Sequence, residues 1–176
     1  MITKVFLISA NGSGAGKSTL AKILADVVVS HADVARRDLS RLYPQEFTEK
    51  IMSHKQDDKA FILPDGKTVR QALVHYCEDI VRPKDDAYFA REVVKSLAHL
   101  HSKDAALTVA IDDVRRVEDL KKIKEYLKNE DLKSVHYHVI SVTASKEEYD
   151  NIKLRECADL IYRYSILGNE NKMQDC

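Results

Sequence analysis

At 176 residues the chain has room for one sizeable core, and two complete domains would be a squeeze. Its 28 basic and 28 acidic side chains cancel to a formal charge of +0, so no global field recruits nucleic acid or an anionic membrane, and any anion must be recognised locally. Hydrophobic residues make up 44% and charged residues 32%, an ordinary soluble composition without the roughly 20-residue apolar run of a membrane span.

The first element is an apolar strand, Val5 to Ala10, too short for a signal peptide. It runs into the glycine-rich stretch Asn11-Gly12-Ser13-Gly14-Ala15-Gly16-Lys17-Ser18-Thr19. Leu20, Ile23, Leu24, Val27 and Val28 then repeat at helical spacing. In this strand, turn and helix, Gly12, Gly14 and Gly16 can take positive φ and turn backbone N–H groups around an anion at a helix N-terminus. The pattern matches G-x-x-x-x-G-K-[ST] with one departure, Asn11 in the first glycine position, and Asn tolerates left-handed φ. Lys17 can reach the β- and γ-phosphates of ATP, Ser18 can ligate Mg²⁺, and Thr19 is a further donor toward the α-phosphate. The bland alternative is a glycine-rich turn that binds nothing.

Ala32 to Leu39 reads as a second strand or its exit loop, and Leu42 to His54 as a helix with Tyr43, Phe47 and Ile51 on one face. His54 to Lys67 is polar and carries the turn signal Pro64-Asp65-Gly66. Thr68 is an N-cap, followed by a helix on which Leu73, Cys77, Ile80 and Val81 share a face until Arg82-Pro83 ends it. Asp85 or Asp86 can cap the next helix, with Phe89, Val93, Val94, Leu97 and Leu100 inward.

The apolar strand Ala106 to Ile111 ends in Asp112 and Asp113. That is where a phosphate-binding enzyme places a carboxylate for Mg²⁺, although two such groups can also merely cap a strand end. The spacing does not decide which of them faces the metal. Arg115 and Arg116 follow on the same rim, suited to phosphate or simply solvated at a helix start. Val117, Leu120, Ile123 and Leu127 mark a helix, Val135 to Val142 a strand, Lys146 to Cys157 a helix and Leu160 to Leu167 a last strand, before a polar, frayed tail from Gly168. His136 and His138 share a strand face, but with no third ligand nearby they read as structural. Cys77, Cys157 and Cys176 are odd in number and scattered, as reduced thiols in a cytoplasmic protein would be.

Strands alternating with helices predict an α/β three-layer sandwich around a mostly parallel five-stranded sheet, with ligands at the carboxyl ends of the strands. The chain also resembles a family. Thr68-Val69-Arg70-Gln71-Ala72-Leu73, Asp79-Ile80-Val81-Arg82, Tyr88-Phe89-Ala90 and Ile111-Asp112-Asp113-Val114-Arg115 occur in the order seen in phage-type deoxynucleoside monophosphate kinases. These and the similar phosphomevalonate kinases belong to the P-loop nucleoside monophosphate kinase group. The resemblance implies one kinase domain over residues 1–176, with an acceptor-binding insertion at about 40–100 and a lid at about 145–157. It implies that Arg70 and Arg82 line the acceptor pocket, that Asp113 and Arg115 lie between donor and acceptor, and that the segment from Lys146 to Arg155 is the lid. Lys153 and Arg155 are the cations available to that lid. The chain departs from the pattern at Asn11, at Tyr88 where many relatives carry tryptophan, and at Cys77-Glu78 where a Leu-Gly pair is common.

The expected activity is ATP- and Mg²⁺-dependent phosphoryl transfer to a small phosphorylated acceptor, a deoxynucleoside monophosphate. Lys17, with one or more of Arg70, Arg115 and Arg155, would neutralise the developing charge. A non-nucleotide acceptor such as phosphomevalonate is the first alternative, and a P-loop ATPase module that regulates a partner is the second. The amphipathic helices could serve a homodimer as easily as a core.

Overall fold

The computed structural model of the chain describes residues 1–10, 15–53, 60–102, 106–114, 116–129, 132, 135–143, 160–164 and 173–175. They form two compact units, one from residues 1–30 with 93–176 and the other from residues 31–92.

The first unit is built on a sheet. Its strands are β1 (Ile2–Ala10), β2 (Val27–Val29), β3 (Leu107–Ile111), β4 (His136–Thr143), β5 (Leu160–Tyr164) and β6 (Met173–Asp175), in the order β2-β3-β1-β4-β5-β6. Neighbours from β2 to β5 pair in parallel, and β6 returns antiparallel along β5. Register fixes the two faces. Val5 lies opposite both Val109 and Tyr137, and Ile8 lies opposite Ile140.

Because side chains alternate along a strand, Ile8 joins Ala110, Ile140 and Val142 on one face, where α1 (Lys17–Leu24) inserts Leu20 and Ala21. Val5, Leu7, Val109 and Val139, all 0% exposed, lie on the other. There α6 (Val117–Asn129) brings Lys124 Nζ to 5.3 Å from the centre of the Tyr137 ring. A parallel sheet covered on both faces needs near-continuous apolar strands, which is how Val5 to Ile8 and Val109 to Ile111 read. Burying each such aliphatic side chain stabilises the fold by about 1.5–3 kcal/mol.

Two sequence expectations change here. The apolar stripe after Lys17 does not stay helical. Helix α1 stops at Leu24, leaves Ile23 64% exposed, and Val27–Val29 becomes the edge strand β2. Three consecutive β-branched valines favour a pleated strand beside β3 over one more helical turn. The sheet has six strands in place of five, because Met173–Asp175 in the expected frayed tail pairs with β5. The lid segment 145–157 lies outside the described residues.

The second unit holds α2 (His31–Ser40), a 3₁₀ turn (Gln45–Phe47), α3 (Thr48–Met52), α4 (Val69–His75), a π-helical turn (Tyr76–Val81) and the start of α5 (Tyr88–His101). The segment expected as a strand or loop, Ala32 to Leu39, is helical. Val34, Ala35 and Leu39 supply its buried stripe. The single helix expected from Leu42 to His54 is instead the 3₁₀ turn followed by the short α3.

The core of this unit is Leu39, Ile51, Leu63, Val69 and Ala72, with Tyr43, Phe47, Phe61, Leu73 and Tyr76 packed against it. Thr68 caps α4 as expected, and reciprocally so. Its Oγ1 accepts from the Gln71 N–H at 3.2 Å, while the Thr68 N–H donates to Gln71 Oε1 at 2.9 Å. After His75 the bonding lengthens to five residues, the Arg82 N–H donating to the Cys77 carbonyl at 3.0 Å. The wider turn shifts the phase of the apolar stripe, so Ile80 is 36% exposed where a continuous α-helix would have set it beside Leu73.

Candidate functional site

Topology alone marks one place on the first sheet. From β1 the chain leaves toward β2, and from β4 it leaves in the opposite direction toward β5, so the crossovers diverge at the carboxyl ends of β1 and β4. Such a divergence opens a crevice in an α/β sheet, and ligands bind there. The paired residues at that point are Ala10 and Val142, and the glycine-rich stretch begins immediately after Ala10.

Asn11, Gly12, Ser13 and Gly14 lie outside the described residues, as does Arg115. From Ala15 onward the stretch is defined. Gly16 sits at the N-cap of α1 with φ 89, left-handed backbone that a side chain would strain, and its carbonyl accepts from the Leu20 N–H at 2.9 Å. Lys17 opens α1 with its side chain buried to 8% exposure, Ser18 is half-buried and Thr19 is exposed. The first turn of α1 holds no acidic residue. The positive dipole end of the helix thus faces no carboxylate of its own first turn, which suits it to an anion.

The two carboxylates after β3 are both buried, Asp112 at 6% and Asp113 at 7% exposure. Asp112 has the parity of Ala110 and so faces α1. The Ser18 Oγ donates to Asp112 Oδ2 at 2.7 Å. Backbone bonds hold this end of β3 on both sides, the Asp112 N–H to the Val29 carbonyl at 3.3 Å and the Val114 N–H to the Ile8 carbonyl at 3.2 Å.

A hydroxyl and a carboxylate oxygen at this separation fit a small hard cation. Two adjacent ligands of an octahedral Mg²⁺ at about 2.0–2.1 Å lie about 2.9 Å from each other. Ser18 and Asp112 would hold such an ion, beside a lysine and a helix N-terminus suited to phosphate.

One polar pair at this rim had no signal in the sequence beyond two serines on apolar strands. Ser9 and Ser141 lie opposite each other on β1 and β4, 3% and 2% exposed, and the Ser9 hydroxyl donates to the Ser141 hydroxyl at 3.2 Å. His138 stacks on Phe6 at 5.8 Å, and no cluster of three or more metal-ligating side chains occurs among the described residues.

In the second unit Arg70 is exposed on α4, whereas Arg82 is held by Glu78 and Asp86. The unit also contains a buried carboxylate, Asp38, 5% exposed. It accepts from the Tyr88 hydroxyl at 2.7 Å and pairs with Arg37 at 3.2 Å and Arg41 at 3.5 Å. Burial first, then the bond to Asp38, pushes the Tyr88 hydroxyl up to about 12. A charged residue one position before the core residue Leu39 was the available signal for Asp38. It is legible only once the stretch is taken as a helix. Arg155 lies outside the described residues.

No protein-family model matches the chain, and no curated protein matches it. Among solved structures it is similar to a plasmid partition protein from Borrelia burgdorferi, at 14% identity and a TM-score of 0.34 over 97% of this chain and 93% of that one. No helix among the described residues is long and apolar enough to cross a membrane. The chemistry of the site therefore rests on its own residues, Gly16 and Lys17 at a helix N-terminus with a serine and an aspartate that could hold a divalent cation.

Proposed function

We propose that the chain binds Mg-ATP at residues 11–19 and transfers its γ-phosphoryl group to a small phosphorylated acceptor of the deoxynucleoside monophosphate class. The observation that carries the nucleotide half of this reading is the contact between Ser18 and Asp112, which joins the glycine-rich turn to the end of β3. The acceptor half rests on the ordered motifs around Arg70, Arg82 and Tyr88, and on a separate compact unit that contains all three.

In this mechanism an acceptor phosphate oxygen attacks the γ-phosphorus in line. One O–P bond forms while the bond from γ-phosphorus to the β–γ bridging oxygen breaks, leaving ADP with the electron pair. Lys17 offsets charge on the transferring group, and the α1 N-terminus holds the phosphates that stay behind. Ser18 and Asp112 would hold a divalent cation, which when bound would offset negative charge on the phosphates. Asp113, Arg115 and Arg155 complete the proposed catalytic set, and Arg70 and Arg82 bind the acceptor. The acceptor is already an oxyanion, so no strong general base is required.

The test offers the purified protein Mg-ATP with each deoxynucleoside monophosphate, with mevalonate phosphate, and with no acceptor, scoring ADP release. Acceptor-dependent ADP with one or more nucleotides is expected. Equal release without any acceptor would replace the kinase reading by an ATPase one.

A further inference from the structure

Arg82 is 11% exposed and crowded by its own neighbours. Its Nε lies 3.3 Å from Glu78 Oε1, and Nη1 donates to Asp86 Oδ1 at 3.3 Å. The guanidinium carbon sits 5.6 Å from the centre of the Phe89 ring. The two carboxylates are far more exposed than the cation they hold, 56% for Glu78 and 53% for Asp86. Both carboxylates are open to water on one side, whereas Arg82 lies against Phe89.

An anion arriving at Arg82 therefore competes with carboxylates that already hold it by charge. A monoanionic carboxylate ligand offers the same charge and the same pair of oxygens as Glu78. It must also surrender its translational freedom, which Glu78, tethered four residues away, does not. A phosphate monoester carries about −1.5 to −2 charges and three strong acceptor oxygens, so it can win that exchange.

We propose that Glu78 and Asp86 are resident competitors at Arg82, so that this subsite admits dianionic phosphate monoesters and turns monoanions away. The inference rests on the reading of Arg82 as an acceptor-binding residue. It adds two specificity-determining carboxylates and predicts an uncommon sign, since removing either should tighten binding.

The test titrates the full chain, without ATP, with the four deoxynucleoside 5′-monophosphates and with the matching nucleoside 5′-carboxylic acids, for wild type, Glu78→Gln, Asp86→Asn, the double variant and Arg82→Ala. An ion pair with an exposed partner changes an equilibrium constant by about 1.5- to 5-fold, so each single variant should bind monophosphate tighter by that factor. The double variant should gain more and should admit the carboxylates, and Arg82→Ala should lose affinity for both. Melting temperatures are read alongside, because a damaged fold would weaken binding, the opposite of the expected change.

Variants that bind monophosphates no tighter than wild type, or no monophosphate binding even by the double variant, would overturn the inference. If Arg82→Ala binds monophosphate as wild type does, the acceptor assignment of Arg82 fails and this inference fails with it. Mg-ATP binding, measured in the same samples, separates that result from failure of the nucleotide site.

Discussion

Ser18 and Asp112 are 94 residues apart in sequence, and the Ser18 hydroxyl donates to the Asp112 carboxylate at 2.7 Å. The contact joins Asp112, from two adjacent buried carboxylates, to the first turn of α1, and the proposed cation site is therefore assigned to Asp112. Asp112→Asn keeps an oxygen for the Ser18 hydroxyl but removes the charge that a cation needs. We expect it to weaken Mg²⁺-dependent ATP binding by at least about tenfold, the lower end of what disturbing a metal site costs. Asp113→Asn should cost less in the same Mg²⁺ titration. The reverse order would move the metal role to Asp113.

Lys17 is buried at the start of α1, where its charge lies beside the helix N-terminus. A ligand at one hundred times its dissociation constant stabilises the folded state by about 2.7 kcal/mol. For a protein of this size that is a rise of about 5–10 °C in melting temperature. Lys17→Ala should reduce the rise with Mg-ATP to under about 2 °C. An undiminished rise in the variant would remove the lysine from the phosphate site.

Tyr88 and Tyr43 give the second unit a response to alkaline pH. Both hydroxyls are pushed up to about 12, Tyr88 by burial and its bond to Asp38, Tyr43 by burial and its bond to Asp65. An unfolded tyrosine ionises near 10. The folded state therefore holds these protons more tightly. The resulting stabilisation is complete below pH about 10 and is lost as pH rises toward 12. Tyr88→Phe has no such proton, so thermal melts between pH 9 and 12 should fall less steeply for the variant than for wild type. Parallel curves would show that the hydroxyl does not hold its proton in this way.

The capping box at Thr68 and Gln71 satisfies backbone donors that α4 would otherwise leave to water. Thr68→Ala should destabilise the chain by about 1 kcal/mol. Thr68→Ser, which keeps the oxygen, should cost less, and urea unfolding of the pair measures the difference. Equal losses would assign the effect to the Thr68 methyl group and not to the cap.

Much of the first unit was legible because its signals are local. Val5 to Ala10 and Leu107 to Ile111 are apolar runs that no half-buried strand would carry, and a lysine with two small hydroxylic residues after glycines at a strand-to-helix turn points to phosphate. The stretch from Leu20 to Val28 misled because apolar spacing alone cannot separate a third helical turn from a three-residue edge strand. What separates them is the open edge of β3, which pairs with Val27 to Val29. The same limit hid β6, a short polar strand that exists only because β5 offers it an edge.

The sequence by itself determined the class of the sheet, the position of the glycine-rich turn and the cap at Thr68, since each depends on residues within one or two turns of each other. Only the tertiary structure decided that Asp112 meets Ser18, that Asp38 lies buried under Tyr88, and that Arg82 is held by Glu78 and Asp86. Two of these contacts join residues 50 or 94 positions apart, brought together by sheet order and helix packing. The third joins residues four apart, a spacing at which charged side chains recur in this sequence, and the structure decides which of them meet Arg82.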